Sequence, residues 1–162
     1  MSNLIFQDQR SFMRYFNQEP GDKTAKLYKS LCDEEYGELQ AAWQALQDRP
    51  CVEHVTEVAD ACIDLIYVAI GLMHGLGLEP AQALWDEVHR SNIDKLKHPC
   101  LVCEQFGVEE IDGSGDPAQC PACKGQGHVY EVRLREDGKV LKPAGWRAPE
   151  LQAIIERMTV EA

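Results

Sequence analysis

Two long stretches of this chain repeat apolar residues at three- and four-residue steps, and they define its body. Over about 23–47, Leu27, Leu31, Leu39 and Ala42 recur at helical spacing, which predicts an amphipathic helix. Asp48-Arg49-Pro50 breaks the pattern. A second helix is expected over about 52–76, closed by glycines. Val58, Ala59, Ala61, Cys62, Ile63, Leu65 and Ile66 make it apolar on most faces, the mark of a mostly buried helix. Glu79-Pro80 opens a third helix, with Pro80 suited to its first turn; Leu84, Trp85 and Val88 carry it to about residue 96. Ahead of these, 1–22 reads as a polar segment ending in the turn signal EPGD, anchored on the body by Phe12, Tyr15 and Phe16. The expected fold class is all-α, a helical bundle.

The character changes at His98-Pro99. From there to about residue 135 the chain is rich in Gly, Cys and Pro, with short β-like pieces such as HVYEVRLR. A turn at Asp137-Gly138 leads into KVLKPAGWRAPEL and a short helix over about 149–158. With 162 residues there is room for one ordinary core and a small appendage.

Within the two main helices the polar positions are unusual. Glu34, Glu35 and Glu38 stand in LCDEEYGELQ, and Glu57, Asp60 and Asp64 in HVTEVADACIDLIYVAI. Carboxylates three or four positions apart share one side of a helix and repel. The first group alone reads as a solvated face. The second resists that reading, because its helix has too few other polar residues to own a wet face. Buried carboxylates need cations, and two facing acidic helices can hold Mg²⁺. Asp64 is the least central member, a hydrogen-bonding partner behind the ligands or between helices.

A second constellation is Cys100-x2-Cys103, then Cys120-Pro121-Ala122-Cys123. Two such pairs present four thiolates to one tetrahedral zinc, a closed and therefore structural site. The glycines of KGQGH suit the tight turns of such a knuckle. His98 and His128 are nearby alternatives as ligands, though four cysteines suffice. Cys32, Cys51 and Cys62 have no comparable partners and read as small core or surface residues.

The ordered combination resembles a known family. Glu35-Tyr36-Gly37-Glu38 followed by Glu57-Val58-Ala59-Asp60 is similar to the ExxE…ExxD signature of the MazG-like all-α nucleoside triphosphate pyrophosphohydrolases. That family includes phosphoribosyl-ATP pyrophosphohydrolases and dimeric dUTPases. Asn92-Ile93-Asp94-Lys95 resembles its Asn-x-x-Lys element. Gly138 to Pro143, with Trp146 and Pro149, resembles a C-terminal element of the branch nearest the phosphoribosyl-ATP enzymes. The likeness covers about 23–97 and 136–158. It implies Mg- or Mn-dependent hydrolysis of a (d)NTP to the monophosphate and pyrophosphate, controlling or cleaning a nucleotide pool. It further implies Glu35, Glu38, Glu57 and Asp60 as metal ligands, and Glu34 or Glu35 as the group that orients or deprotonates water. Asn92 and Lys95 would meet phosphate oxygens; Lys139 and Lys142 are further cations for the substrate or solvated lysines. Trp43, Trp85 and Trp146 could each stack on a base, though core or interface packing is the plainer role.

The expected organisation is a helical catalytic bundle (1–97), a zinc-ribbon insertion (98–135) and a C-terminal segment completing the catalytic domain (136–162). The net charge of −11 opposes broad contact with nucleic acid, and 95–135 carries no basic stripe. No apolar run is of membrane-spanning length, and the N-terminus lacks the features of a secretory signal, so a cytoplasmic location is expected. The excess of apolar helix surface, together with the resemblance, implies a homodimer or homotetramer. Two other readings compete: a non-enzymatic zinc-binding adaptor, which needs Glu57 and Asp60 to face solvent, and the same chemistry on a phosphoribosyl-nucleotide.

Overall fold

The computed structural model describes residues 4–102 and 120–160. Helices dominate: α1 (Leu4–Tyr15), α2 (Asp22–Asp48), α3 (Val52–Gly75), α4 (Ala81–Ile93) and α5 (Leu151–Val160). A 3₁₀ turn (Asp94–Leu96) extends α4, and two short strands, β1 (Lys97–Pro99) and β2 (His128–Tyr130), pair antiparallel. The all-α expectation holds. The chain divides into two compact units, Met1–Leu84 with Gln152–Ala162, and Trp85–Leu151.

In the first unit, α2 and α3 are the longest helices and make its most extensive packing. The α2 helix stops where Arg49 turns extended ahead of Pro50, its N–H still bonded to the Ala45 carbonyl at 3.0 Å. The start of α2 is tied to the end of α3, since Gly21 N–H donates to the Gly75 carbonyl at 2.9 Å. Gly75 lets the two backbones meet: a Cβ there would stand 3.0 Å from Ala25 N. The pair is therefore an antiparallel hairpin with its acidic residues toward the other end.

The structure corrects the reading of the N-terminus. Residues 4–15 form a helix, and Phe6, Gln9 and Met13, at steps of three and four, are its buried side. Phe12 touches Tyr67 edge-on with centroids 5.6 Å apart, but Tyr15 and Phe16 are exposed. Phe6 packs with Ile70 and Ala81, and Met13 with Tyr28 and Val68. Buried His74 reinforces this: its Nε2 lies 3.2 Å from the Phe6 carbonyl and its Nδ1 lies 2.8 Å from the Glu79 carboxylate, which also pairs with Arg10.

Gly71 is where α3 comes closest to its neighbours. A Cβ there would overlap the Tyr28 ring and stand 2.5 Å from Gln9 Nε2. Gly71→Ala is expected to lower stability by about 2–3 kcal/mol through overpacking. Gly37→Ala, with nothing within 4 Å of its Cβ, should stabilise α2 by about 0.5–1 kcal/mol. Urea midpoints at constant slope test the pair; equal shifts would contradict this packing.

In the second unit, the β1–β2 register (Lys97↔Tyr130, His98↔Val129, Pro99↔His128) delivers Cys100 beside the turn that follows Cys120. Leu134 and Val140 bridge across the Asp137-Gly138 turn.

Candidate active site and metal centre

The acidic residues occupy α2 and α3 as their spacing requires, but the expected burial is not found. Glu34, Glu38, Glu57, Asp60 and Asp64 are all exposed, as are Val55, Ile63 and Ile66 around them. Among the described residues, α3 is covered by α1 and α2, with Ala81 packed on Ile70, and its side carrying Ile63 and Ile66 stays exposed. Burial of Glu57 and Asp60 therefore does not separate an enzyme from an adaptor.

The electrostatics are more telling. Glu35 is half-buried, and its Oε2 is inaccessible to solvent and has no hydrogen-bond partner. Burial pushes its carboxyl above the usual range, and the charges of Glu38, Asp64, Glu34 and Asp60 push it further. Carboxylates of both helices thus converge on Glu35. Among the described residues, none of Glu34, Glu35, Glu38, Glu57, Asp60 or Asp64 enters an ion pair.

Beside this cluster lies a cavity of about 410 Å³, lined by Glu38, Ala41, Ala42 and Ala45 of α2 and by Glu57, Asp60 and Ala61 of α3. The alanines make the room, since a longer side chain at any of them would fill the space between the carboxylates. Their signal in the sequence was small residues one turn beyond the acidic motif, which drew no notice. An all-oxygen, uncompensated donor set with one orphaned buried oxygen fits a hard divalent cation such as Mg²⁺.

Asn92, Lys95, Lys139 and Lys142 belong to the second unit. There Lys95 donates to Asn92 Oδ1 at 2.6 Å, and both Lys95 and Lys142 approach the Trp146 ring. Lys139 stands apart: its ammonium is 3.9 Å from Asp137, and its backbone N–H also bonds that carboxylate. Midway along α4, Glu87 accepts from Arg90 and from the Glu150 backbone N–H, and these donors hold its carboxyl down at about 2.

The cysteine cluster is well formed. Cys100, Cys120 and Cys123 are buried, with sulfurs within 4.8 Å of one another. Cys103 lies outside the described residues. The Cys100–Cys120 sulfur separation of 3.8 Å equals the edge of a tetrahedron with metal–sulfur bonds of about 2.3 Å. The turn that presents the pair is held by Lys124 N–H to the Cys120 carbonyl at 2.8 Å and Gln126 N–H to the Cys123 carbonyl at 3.0 Å. Gly125 at φ +84° and Gly127 at φ +71° close it, and Cys100 N–H bonds the Gly127 carbonyl at 3.0 Å. This cluster can hold a metal ion. Neither His98 nor His128 joins the three sulfurs in that group. Cys32 and Cys51 are half-buried and Cys62 is exposed.

The profile of one protein family, described as phosphoribosyl-ATP pyrophosphohydrolase, matches residues 8–92. The match runs from α1 through both acidic helices to Asn92, and takes in the N-terminal helix that the chain's pattern had concealed. It does not reach 136–158. No curated protein matches the chain. No helix among the described residues is long and apolar enough to cross a membrane.

Proposed function

The chain belongs to the phosphoribosyl-ATP pyrophosphohydrolase family and is thus a nucleotide pyrophosphohydrolase, and from that premise we propose that it cleaves the α–β phosphoanhydride of a (d)NTP. The products are the monophosphate and pyrophosphate, and the role is control or cleaning of a cytoplasmic nucleotide pool. The observation that carries this reading is Glu35: a carboxylate oxygen without a partner, in the field of acidic residues from two helices, beside an open cavity.

Glu35, Glu38, Glu57 and Asp60 are the ligands for Mg²⁺ or Mn²⁺. When bound, the metal neutralises the triphosphate and polarises the attacking water. Glu34 and Glu35 orient that water or accept its proton. Asp64 acts from behind the ligands, through its charge on Glu35. Asn92, Lys95 and Lys142 offer an amide and two ammoniums to phosphate oxygens, and Lys139 joins them only when released from Asp137. We assign zinc to Cys100, Cys120 and Cys123, with Cys103 as the fourth thiolate. On this reading 1–97 is the catalytic bundle, 98–135 the zinc insertion and 136–162 the segment that completes the catalytic domain.

The second reading keeps the chemistry and changes the substrate to a phosphoribosyl-nucleotide, which the description of the matching family favours. A panel of canonical and modified (d)NTPs with phosphoribosyl-ATP, assayed for pyrophosphate release with Mg²⁺ or Mn²⁺, decides between them. Turnover of phosphoribosyl-ATP alone would overturn the first reading, and release of orthophosphate before pyrophosphate would overturn both.

The exposed face of α2 and α3 bears on assembly. Ile63 is 62% exposed and Trp43 54%, with Leu27, Val55 and Ile66 also uncovered. An apolar face of this kind belongs against protein, so the expected species is a homodimer or homotetramer. Sedimentation at micromolar concentration should show no 18.2 kDa species, and Ile63→Glu should produce one. A wild-type monomer would end this proposal.

A further inference from the structure

His74 is a buried titratable group that the proposed chemistry does not use. It stands in the last turn of α3 with 4% of its surface exposed. Each ring nitrogen faces an acceptor. Nε2 lies 3.2 Å from the Phe6 carbonyl of α1, and Nδ1 lies 2.8 Å from one carboxylate oxygen of Glu79. The other oxygen of that carboxylate pairs with Arg10, one turn beyond Phe6 on α1. Both polar ties therefore run from α1 to the corner between α3 and α4.

A neutral imidazole has one N–H and one lone pair. In either tautomer one nitrogen would set its lone pair against an oxygen lone pair, in a buried place where an unmet polar contact is costly. The imidazolium has a hydrogen for each acceptor. Placing the proton on Glu79 instead would deprive Arg10 of its anion. The carbonyls at the end of α3 also favour a cation there. Four charged side chains line a cavity of about 150 Å³ with the ring: Arg10 and Arg14 from α1, Glu19 from the loop before α2, and Glu79. Their charges cancel, and an acid touches the ring. Arg14 and Glu19 are exposed, so the cavity reaches solvent and protons can reach His74.

The α1 helix has little else to hold it. Its buried side is three residues, one of them the amide Gln9, while Leu4, Ile5, Phe12, Tyr15 and Phe16 are exposed. We propose that His74 is a proton-operated clasp: charged, it fastens α1 to the end of α3, and on losing its proton it lets that helix loosen. The sign follows from counting protons. With α1 docked the ring keeps a proton that it gives up when α1 is released, so docking weakens as pH rises. The tie is complete below about pH 6.5, the ordinary histidine value, and fades above it. The clasp does not rest on the hydrolase reading, whose acidic residues lie toward the other end of the α2–α3 hairpin.

Nitrogen NMR of the histidine rings reads the charge directly. At about pH 7 the folded protein should show His74 with both ring protons, whereas the rings of the urea-unfolded chain are mostly neutral. Hydrogen exchange over 6–15, corrected for the intrinsic pH dependence of exchange, should be about ten-fold faster at about pH 8.5 than at about pH 6, with the centre of α2 unchanged. His74→Gln removes the titrating ring, and Glu79→Gln removes the anion while nearly keeping its shape. Each should abolish most of that pH dependence, and His54→Gln, at an exposed histidine, should leave it intact. A neutral His74 at about pH 7, an α1 that exchanges alike at both pH values, or a ten-fold change that survives His74→Gln would overturn the clasp. Should His74→Gln not fold, Glu79→Gln and the wild-type ring spectrum decide on the same outcomes.

Discussion

Glu38→Gln and Asp60→Asn are each expected to lower nucleotide turnover on the order of 100-fold or more, about 2.7 kcal/mol of transition-state stabilisation. Each substitution removes one anionic ligand and nearly preserves shape. Both positions wall the cavity between α2 and α3, and both charges act on Glu35. Stability should move the other way. Without metal, the acidic cluster is a set of like charges with no ion-pair partner among the described residues, so removing one should stabilise the fold by a few tenths of a kcal/mol per relieved pair and raise the melting temperature slightly. Saturating Mg²⁺ should stabilise the wild-type protein more than either variant. The combination separates ligands from scaffold: a damaged fold would lose activity and stability together. Wild-type turnover in both variants across the nucleotide panel would remove the two-helix metal site as the seat of the chemistry.

Loss of the thiolate-bound metal should be felt in the second unit and spare the first. Purified protein is expected to carry about one zinc per chain. Its removal by a strong chelator leaves buried sulfurs about one tetrahedral edge apart with nothing between them, and Cys120→Ser removes one of those sulfurs outright. Structural zinc contributes about 10–16 kcal/mol in small zinc-dependent folds, far beyond what a three-residue strand pair holds by itself. Hydrogen exchange at 97–100 and 120–130 should then accelerate by orders of magnitude, while α2 and α3 keep their protection. The helical hairpin has its own core in Met13, Tyr28 and Val68 and does not draw on the sulfurs. Metal analysis finding no zinc, with all seven thiols titrating freely in native protein, would sink the assignment.

Much of this was legible in the order of residues. Lengths and breaks of α2 and α3 followed from apolar steps and from Pro50, because helix period and helix stops are local properties. The ordered acidic motifs pointed to the family, and the paired cysteines to a metal cluster, since ligand spacing is also local. The α1 helix was concealed because one of its three buried positions is Gln9, and an amide breaks an apolar stripe on paper while filling a core in space. The α3 pattern was misread for a related reason: apolar residues all round a helix report that surface must be covered, not which neighbour covers it. Within this chain α1 and α2 shield one side, and Ile63 and Ile66 remain outside. The meeting of Lys95, Lys142 and Trp146 belongs to tertiary structure alone. An irregular segment has no period to read, and the hydrogen bonds from the indole to Ser91, 55 residues away, and from Ser91 to Arg147 hold that ring where two ammoniums approach it.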